Sequence, residues 1–527
     1  MPQKLAQEHW TIRKPAIVGR DGMISTQHYL ASEVGANVLR DGGNAVDAAV
    51  AAGLAIGVVE PWSSGIGGGG YMVIHKADNQ QTNVVEFGMR APFEASRDDY
   101  PLDPDQGRTG AGSFNWPAVK DHVNVSGPLS IAVPGYIRGA ALALETFGTK
   151  SWESSIEPAC QLAEEGLPID WFATQHITYF ARSLARFKSS RAVYLPDGYP
   201  PLGAGEGFVG HLPLKQLAET YRTLQHEGAE AYYTGSLAHR IVADLNEFGS
   251  KISLKDLHEY EPFIRQPISS QYRGAMVQTP GNMTAGPSMQ QALHILYRHS
   301  FSNAKPNPQD AIAYVEALRE TYEYRLEHLG EGKGQGADSH TSHLSVADRF
   351  GNLVALTQTV MSPFGSHVVL PQTGLTMNNG MMWFDPMPDR PNSLVGGRHP
   401  LCNMCPTVIF RDDGTRFALG ACGGRKIFPS VLQLTSFVLD FGMSVDDAVH
   451  QARVDVSGND NVWAMAHFDS DVLDALGAKY DTLKIRPNGL GGNQFAVPQI
   501  VAALPDGQFE GGCYVPSPHA AAMAASR

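Results

Sequence analysis

Charge is scarce in this 527-residue chain. Asp, Glu, Lys and Arg make up 18% of it, and the basic residues are the rarer kind, 40 against 53 acidic, for a formal net charge of −13. That deficit removes the electrostatic footprint on which nucleic-acid binding depends. Cysteine is scarce too. Its five copies, Cys160, Cys402, Cys405, Cys422 and Cys513, are scattered and odd in number, which argues for reduced thiols rather than a disulfide framework. No apolar run reaches membrane-spanning length: the longest, residues 45–59, is interrupted by Asp47 and Gly53. The first nineteen residues hold no apolar core of signal-peptide length, so a cytoplasmic protein without membrane contact is expected. Also missing are a G-x-S-x-G elbow, a P-loop, an H-E-x-x-H pair and an EF-hand loop, and the 19 histidines do not cluster. Neither metal nor organic cofactor is expected.

What is abundant is punctuation, 55 Gly and 34 Pro, which marks a globular, turn-rich chain. Periodicity predicts a helix over residues 28–40, stopped at Asp41-Gly42-Gly43, and a second from Asn44 to Glu60-Pro61. Residues 65–70 formally match G-x-G-x-x-G. A dinucleotide site needs a strand before and a helix after, whereas here a helix precedes and a strand (71–76) follows, so a loop permitting close backbone approach is the reading. Residues 135–322 read as mostly helical. A long helix over 311–329 leads into the glycine-rich run 330–336, then the period switches to two: strand 341–348, turn Gly351-Asn352, strand 353–360. Cys402 and Cys405 form one C-x-x-C, two of the four ligands zinc wants, and read as loop residues.

The junction His340-Thr341 carries the chemistry. A threonine at a free N-terminus has its own base, because the α-amine, with a pKa near 8, lies within reach of the hydroxyl. Cleavage between His340 and Thr341, by attack of the Thr341 hydroxyl on the His340 carbonyl, would create that terminus. Gly423-Gly424, between a strand and a helix, could offer two N–H groups to a developing oxyanion.

These residues resemble the γ-glutamyltranspeptidase family over nearly the whole chain. The stretches that carry the resemblance are LASEVGANVLRDGGNAVDAAVA, VVEPWSSGIGGGGYMV, AVPGYIRG, TSHLSVADRFGN, NNGM and ACGGRK. It implies the four-layer αββα sandwich (α/β in class) of the N-terminal-nucleophile hydrolases and a self-cleaving proenzyme. The large subunit would be residues 1–340 and the small subunit 341–527, held as a heterodimer, with a dimer of heterodimers left open. It also implies Thr341 as nucleophile with its amine as base, Thr359 near that amine, and Gly423 and Gly424 as the oxyanion hole.

The departures concern the clamp that holds a glutamyl head. Its arginine position is Gly88, an asparagine is replaced by Met361, and the residue after the paired Asn378-Asn379 is Gly380. The acid three positions later is Trp383, and the paired serines are Cys402 and Asn403. An α-amino-acid head would leave buried charges unpaired. A smaller, less polar pocket is expected, with Arg425 or Arg90 holding a substrate carboxylate. The expected substrate is a small carboxylate-bearing amide, similar to that of the oxamate amidohydrolase branch, giving oxalate and ammonia. The alternatives are γ-glutamyl hydrolysis or transfer, a cephalosporin-acylase-like amidase, and an inactive relative acting as a binding protein.

Overall fold

The structure, a computed structural model, describes residues 13–105, 117–203, 209–301, 304–329, 340–457, 460–487 and 495–526. The glycine-rich connector of the sequence reading lies outside them. Thirteen strands run in one hydrogen-bonded array, and every neighbouring pair in it is antiparallel. The array becomes two sheets at the strand Ile17–Thr26. Its first residues, Ile17 to Gly19, pair with Phe509–Cys513, while Gly22 to Thr26 pair with His340–Asp348 and Ala521–Ser526. Between the two halves Asp21 (φ 63°) and Gly22 (φ 129°) turn the backbone through the left-handed region.

Away from that shared strand, the first sheet runs outward through His340–Asp348, Leu353–Met361, Gly69–Lys76, Gln81–Phe87 and Phe263–Arg265. The second continues from Phe509–Cys513 through Val497–Ala503, Arg416–Cys422, Thr407–Arg411, Ala275–Thr279 and Ile268–Tyr272. Side-chain alternation sorts the layers. Leu344, Val346, Val354, Leu356, Met72 and Ile74 face the helices Tyr29–Arg40 and Ala45–Val59 in one core. Leu419, Ala421, Ile500 and Ala502 face Gly286–Leu296, Pro308–His328 and Ile427–Leu439 in another. Val73, Ala347, Ala355, Val408, Ala418 and Val501 meet between the sheets. The architecture is therefore an αββα sandwich, as expected.

Every residue of the helix Ala45–Val59 is buried, which explains a run that looks nearly membrane-like in sequence. Asp47 closes its N-terminal capping box with Asn44 and also accepts from the Thr149 and Lys150 N–H groups. No described helix is long and apolar enough to cross a membrane. The hairpin around Gly351-Asn352 forms as read, with Asp348 accepting from the N–H groups of Phe350 and Asn352. The region read as mostly helical is corrected: Phe263–Arg265, Ile268–Tyr272 and Ala275–Thr279 are strands. They are three to five residues long and lie toward the sheet edges, too short for a period of two to stand out in sequence.

Candidate active site

Thr341 is the second residue of its strand, and by alternation with His343 and Ala347 it faces the space between the sheets. The register there is irregular. Gln358 pairs with Ser342 and Met361 pairs with His340, so Thr359 and Val360 together oppose Thr341. This is a β-bulge, the device by which a ladder re-aims a side chain. It is held from several directions. Thr359 Oγ1 accepts from the Met361 N–H at 2.7 Å, the Val360 N–H donates to the Ser63 carbonyl, and the Val360 carbonyl accepts from Asn379 N–H. Gly68 presses its backbone on the Thr359 carbonyl so closely that any Cβ there would collide with it. The G-x-G-x-x-G run thus serves as the close-approach loop that the sequence suggested. Thr341 is 1% exposed, and its Oγ1 has no hydrogen-bond partner among the described residues. A buried hydroxyl left idle in a bulge is a group kept for something else.

The neighbouring residues are tied down. On the helix side, Ser342 Oγ lies 3.0 Å from both Glu60 Oε2 and Ser64 Oγ, and Gln358 Nε2 donates to Ser64 Oγ and to the Gly53 carbonyl. Burial raises the Glu60 carboxyl to about 8. On the inter-sheet side, the His343 ring is held by Thr357 Oγ1 at 2.8 Å and Ser345 Oγ at 3.0 Å, with burial lowering it to about 3. That ring occupies the room opposite Gly420, where a Cβ would clash.

Gln27 brings the glycine pair to the strand of Thr341. Its Oε1 accepts from the His343 N–H at 2.9 Å while its Nε2 meets Cys422 Sγ, the residue before Gly423. Gly423 (φ 131°) and Gly424 (φ 66°) then turn the chain from the strand Arg416–Cys422 into the helix Ile427–Leu439. A Cβ on Gly423 would sit 2.7 Å from Ala496 Cα. The turn is therefore built from residues that only glycine satisfies, at the N-terminal end of a buried helix.

A second group lines a buried cluster: Tyr71, Met89, Met361, Trp383, Cys402 and Met404 pack together. Met361 is fully buried with φ 86°, a strained value for a side chain of its kind. The position of Gly88 is occupied from the neighbouring strand: a Cβ there would lie 2.7 Å from the Tyr71 hydroxyl, which bonds to the Cys402 side chain. Beside Tyr71 and Gly88 opens a cavity of about 660 Å³, rimmed by Glu86, Glu259, Arg90, Arg265 and His399. This cavity is neither small nor weakly polar, and Met361 and Trp383 lie in the buried cluster rather than on its rim.

Four further expectations meet the structure differently. Arg90 does not reach for a ligand: Nη1 and Nη2 donate to the carbonyls of Glu259 and Asp256, and the guanidinium stacks on Phe93 at 4.2 Å. Asn378 is saturated by the backbone of Gly67, Ala132 and Gly380. Asn379 is bonded to Val125 and Ser362, so both asparagines scaffold the loop instead of facing substrate. Arg425 is buried, donates to the Ser457 carbonyl and accepts from the Tyr322 hydroxyl at its own carbonyl. Among the described residues no cluster of three His, Cys, Asp or Glu could hold a metal.

Sequence reasoning passed over Tyr71, Glu60, His343 and Arg325. Arg325 left a signal: it is the next position on the buried stripe Ala311, Tyr314, Val315, Leu318, Tyr322 of its helix, where a charge is out of place.

The chain matches the Gamma-glutamyltranspeptidase family over residues 31–338 and 325–517. The chain belongs to the γ-glutamyltranspeptidase family. Among its relatives is a glutathione hydrolase proenzyme of Bacillus subtilis (strain 168), 31% identical over 501 residues, covering 84% of this chain and 81% of the relative. Another is an acylase ACY 1 proenzyme of Pseudomonas sp. (strain V22), 32% identical over 485 residues and 85% of each chain. The solved structure of a cephalosporin acylase from Bacillus halodurans superposes with a TM-score of 0.85 over 99% of each chain, at 23% identity, and so shares the fold. Membership in the γ-glutamyltranspeptidase family makes the chain a self-processing hydrolase of amide bonds.

Proposed function

We propose that the chain cuts itself between His340 and Thr341, leaving residues 1–340 and 341–527 as a heterodimer. In this reading the Thr341 hydroxyl, deprotonated by the new α-amine, then attacks a small amide that bears a carboxylate, an oxamate-like compound. Thr359 fixes the bulge beside the amine. The Gly423 and Gly424 amides receive the oxyanion, ammonia departs, and water releases the acid from the threonine ester. Five free buried thiols suit a reducing compartment, and we assign the enzyme to the cytoplasm.

One observation carries the substrate class. Where the family clamp has an asparagine and an acid, this chain has Met361 and Trp383, both buried in an apolar cluster, so an α-ammonium placed against them would lack those partners. Ammonia release from oxamate, measured against cleavage of a γ-glutamyl anilide, tests it. Faster turnover of oxamate is expected, and a faster γ-glutamyl reaction would overturn the assignment.

A second reading, a bulkier acyl group as in acylase-like relatives, is favoured by the cavity of about 660 Å³ beside Tyr71. It predicts that amides with long acyl chains outpace oxamate in the same assay.

A further inference from the structure

The strand Ile17–Thr26 accompanies the strand of Thr341 only part of the way. Their pairing runs to Thr26 opposite Leu344, where Thr26 Oγ1 accepts from the His28 N–H at 3.1 Å and the chain turns off into the helix Tyr29–Arg40. What a strand would supply to the backbone of His343, the next residue, is supplied by two buried amides. Gln27 Oε1 accepts from the His343 N–H at 2.9 Å. Gln499, on the strand Val497–Ala503 of the second sheet, donates to the His343 carbonyl and accepts from the Gln27 N–H at 3.1 Å.

Gln27 does more than close a ladder. With Oε1 held by an N–H, a flipped amide would set donor against donor, so Nε2 faces the other way and donates to Cys422 Sγ. Burial holds that thiol above its ordinary range, so the sulfur is neutral and accepts. One planar group therefore joins the backbone two residues after Thr341 to the residue before Gly423. Backbone N–H groups two residues apart on a strand point to the same edge. The Thr341 nitrogen, which the proposed cleavage would turn into the α-amine, thus lies on the edge that Gln27 closes.

We propose that Gln27 is a positioning residue of the reaction, fixing the strand of Thr341 to the Gly423-Gly424 turn at the spacing that self-cleavage and turnover both require. This rests on the proposed roles of Thr341 and the glycine pair. It adds how the two halves of that site, carried by different sheets, are held in register across the sandwich. Spacing is where accuracy counts, since a misplacement of about 1 Å costs up to about 100-fold in rate. An amide supplies the link without setting a charge beside an amine whose pKa must stay near neutrality.

The test is self-cleavage followed on a denaturing gel, with kcat and KM of the processed enzyme for oxamate or the γ-glutamyl anilide, whichever the wild type turns over. Gln27→Met keeps the length and removes both polar ends. It should slow self-cleavage and lower kcat about 100-fold while KM stays within about twofold. Cys422→Ala, which removes only the acceptor, should cost about tenfold, and Cys422→Ser, which keeps a hydroxyl there, less than about threefold. The double variant Gln27→Met/Cys422→Ala should be no slower than Gln27→Met, because both break one bridge. A merely structural Gln27 would lower the melting temperature and leave kcat of the folded protein at the wild-type value. That result, or losses that multiply in the double variant, overturns the proposal. Where Gln27→Met fails to fold, Cys422→Ala against Cys422→Ser decides, and equal rates refute the bridge. Wild-type protein that never yields a chain beginning at Thr341 would sink the proposed function instead.

Discussion

The strand of Thr341 and the cluster around Trp383 are buried to the same depth and built on opposite principles. Around Thr341 nearly every polar atom has its partner: Ser342 with Glu60 and Ser64, His343 with Thr357 and Ser345, Thr359 with the Met361 N–H. The Thr341 Oγ1 hydroxyl is left over, without a partner among the described residues. Around Met361 and Trp383 the cluster is apolar, its backbone strained at Met361, and two donors, Trp383 Nε1 and Asn403 Nδ2, have no partner among the described residues. A satisfied network fixes one geometry, which a reaction common to a family requires.

Thr341→Ala breaks the contrast most severely. Mature protein should run as one full-length chain on a denaturing gel, with activity down roughly 10⁴-fold or more. Two bands from this variant would place the nucleophile elsewhere. Next is Gly423→Ala, which forces a side chain onto a left-handed backbone against Ala496. A loss of about 100-fold in kcat with processing slowed is expected, and kcat unaltered would remove the turn from the oxyanion site.

Met361→Asn sharpens the comparison from the cluster side. Asparagine tolerates φ 86° better than methionine, but its amide would be buried among apolar side chains, so thermal unfolding should show a net loss of about 1–2 kcal/mol together with weaker activity on the native substrate. A variant as stable as wild type would show that relief of the strained backbone offsets the buried amide.

An effect confined to one pH window concerns Glu60. Its carboxyl stays protonated in the native state to about pH 8, while an unfolded chain ionises it near 4.5. Between those values the native state holds the extra proton, so stability falls as pH rises through this window and levels off above it. Glu60→Gln should flatten that slope in denaturant titrations at several pH values. A slope identical to wild type would mean Glu60 is already ionised against Ser342.

Much of this was legible in one dimension. The hairpin after residue 340, the cap at Asn44 and the glycine turn at 423–424 are local: each is decided by residues within a few positions of one another. The role of the glycine run 65–70 was readable because a strand, and no helix, follows it.

The chain order of residue types thus determined where a hydroxyl could become a new N-terminus, which loops must be glycine, and which run packs as a core helix. Folding alone decided that Thr341 sits in a bulge, that Asn378 and Asn379 brace a loop, that Arg90 is consumed by a helix end, and that Gln27 spans His343 and Cys422. Those outcomes depend on partners tens to hundreds of residues away. A side chain's bonding capacity is visible in sequence, but whether it is used up is settled only by what the fold brings against it.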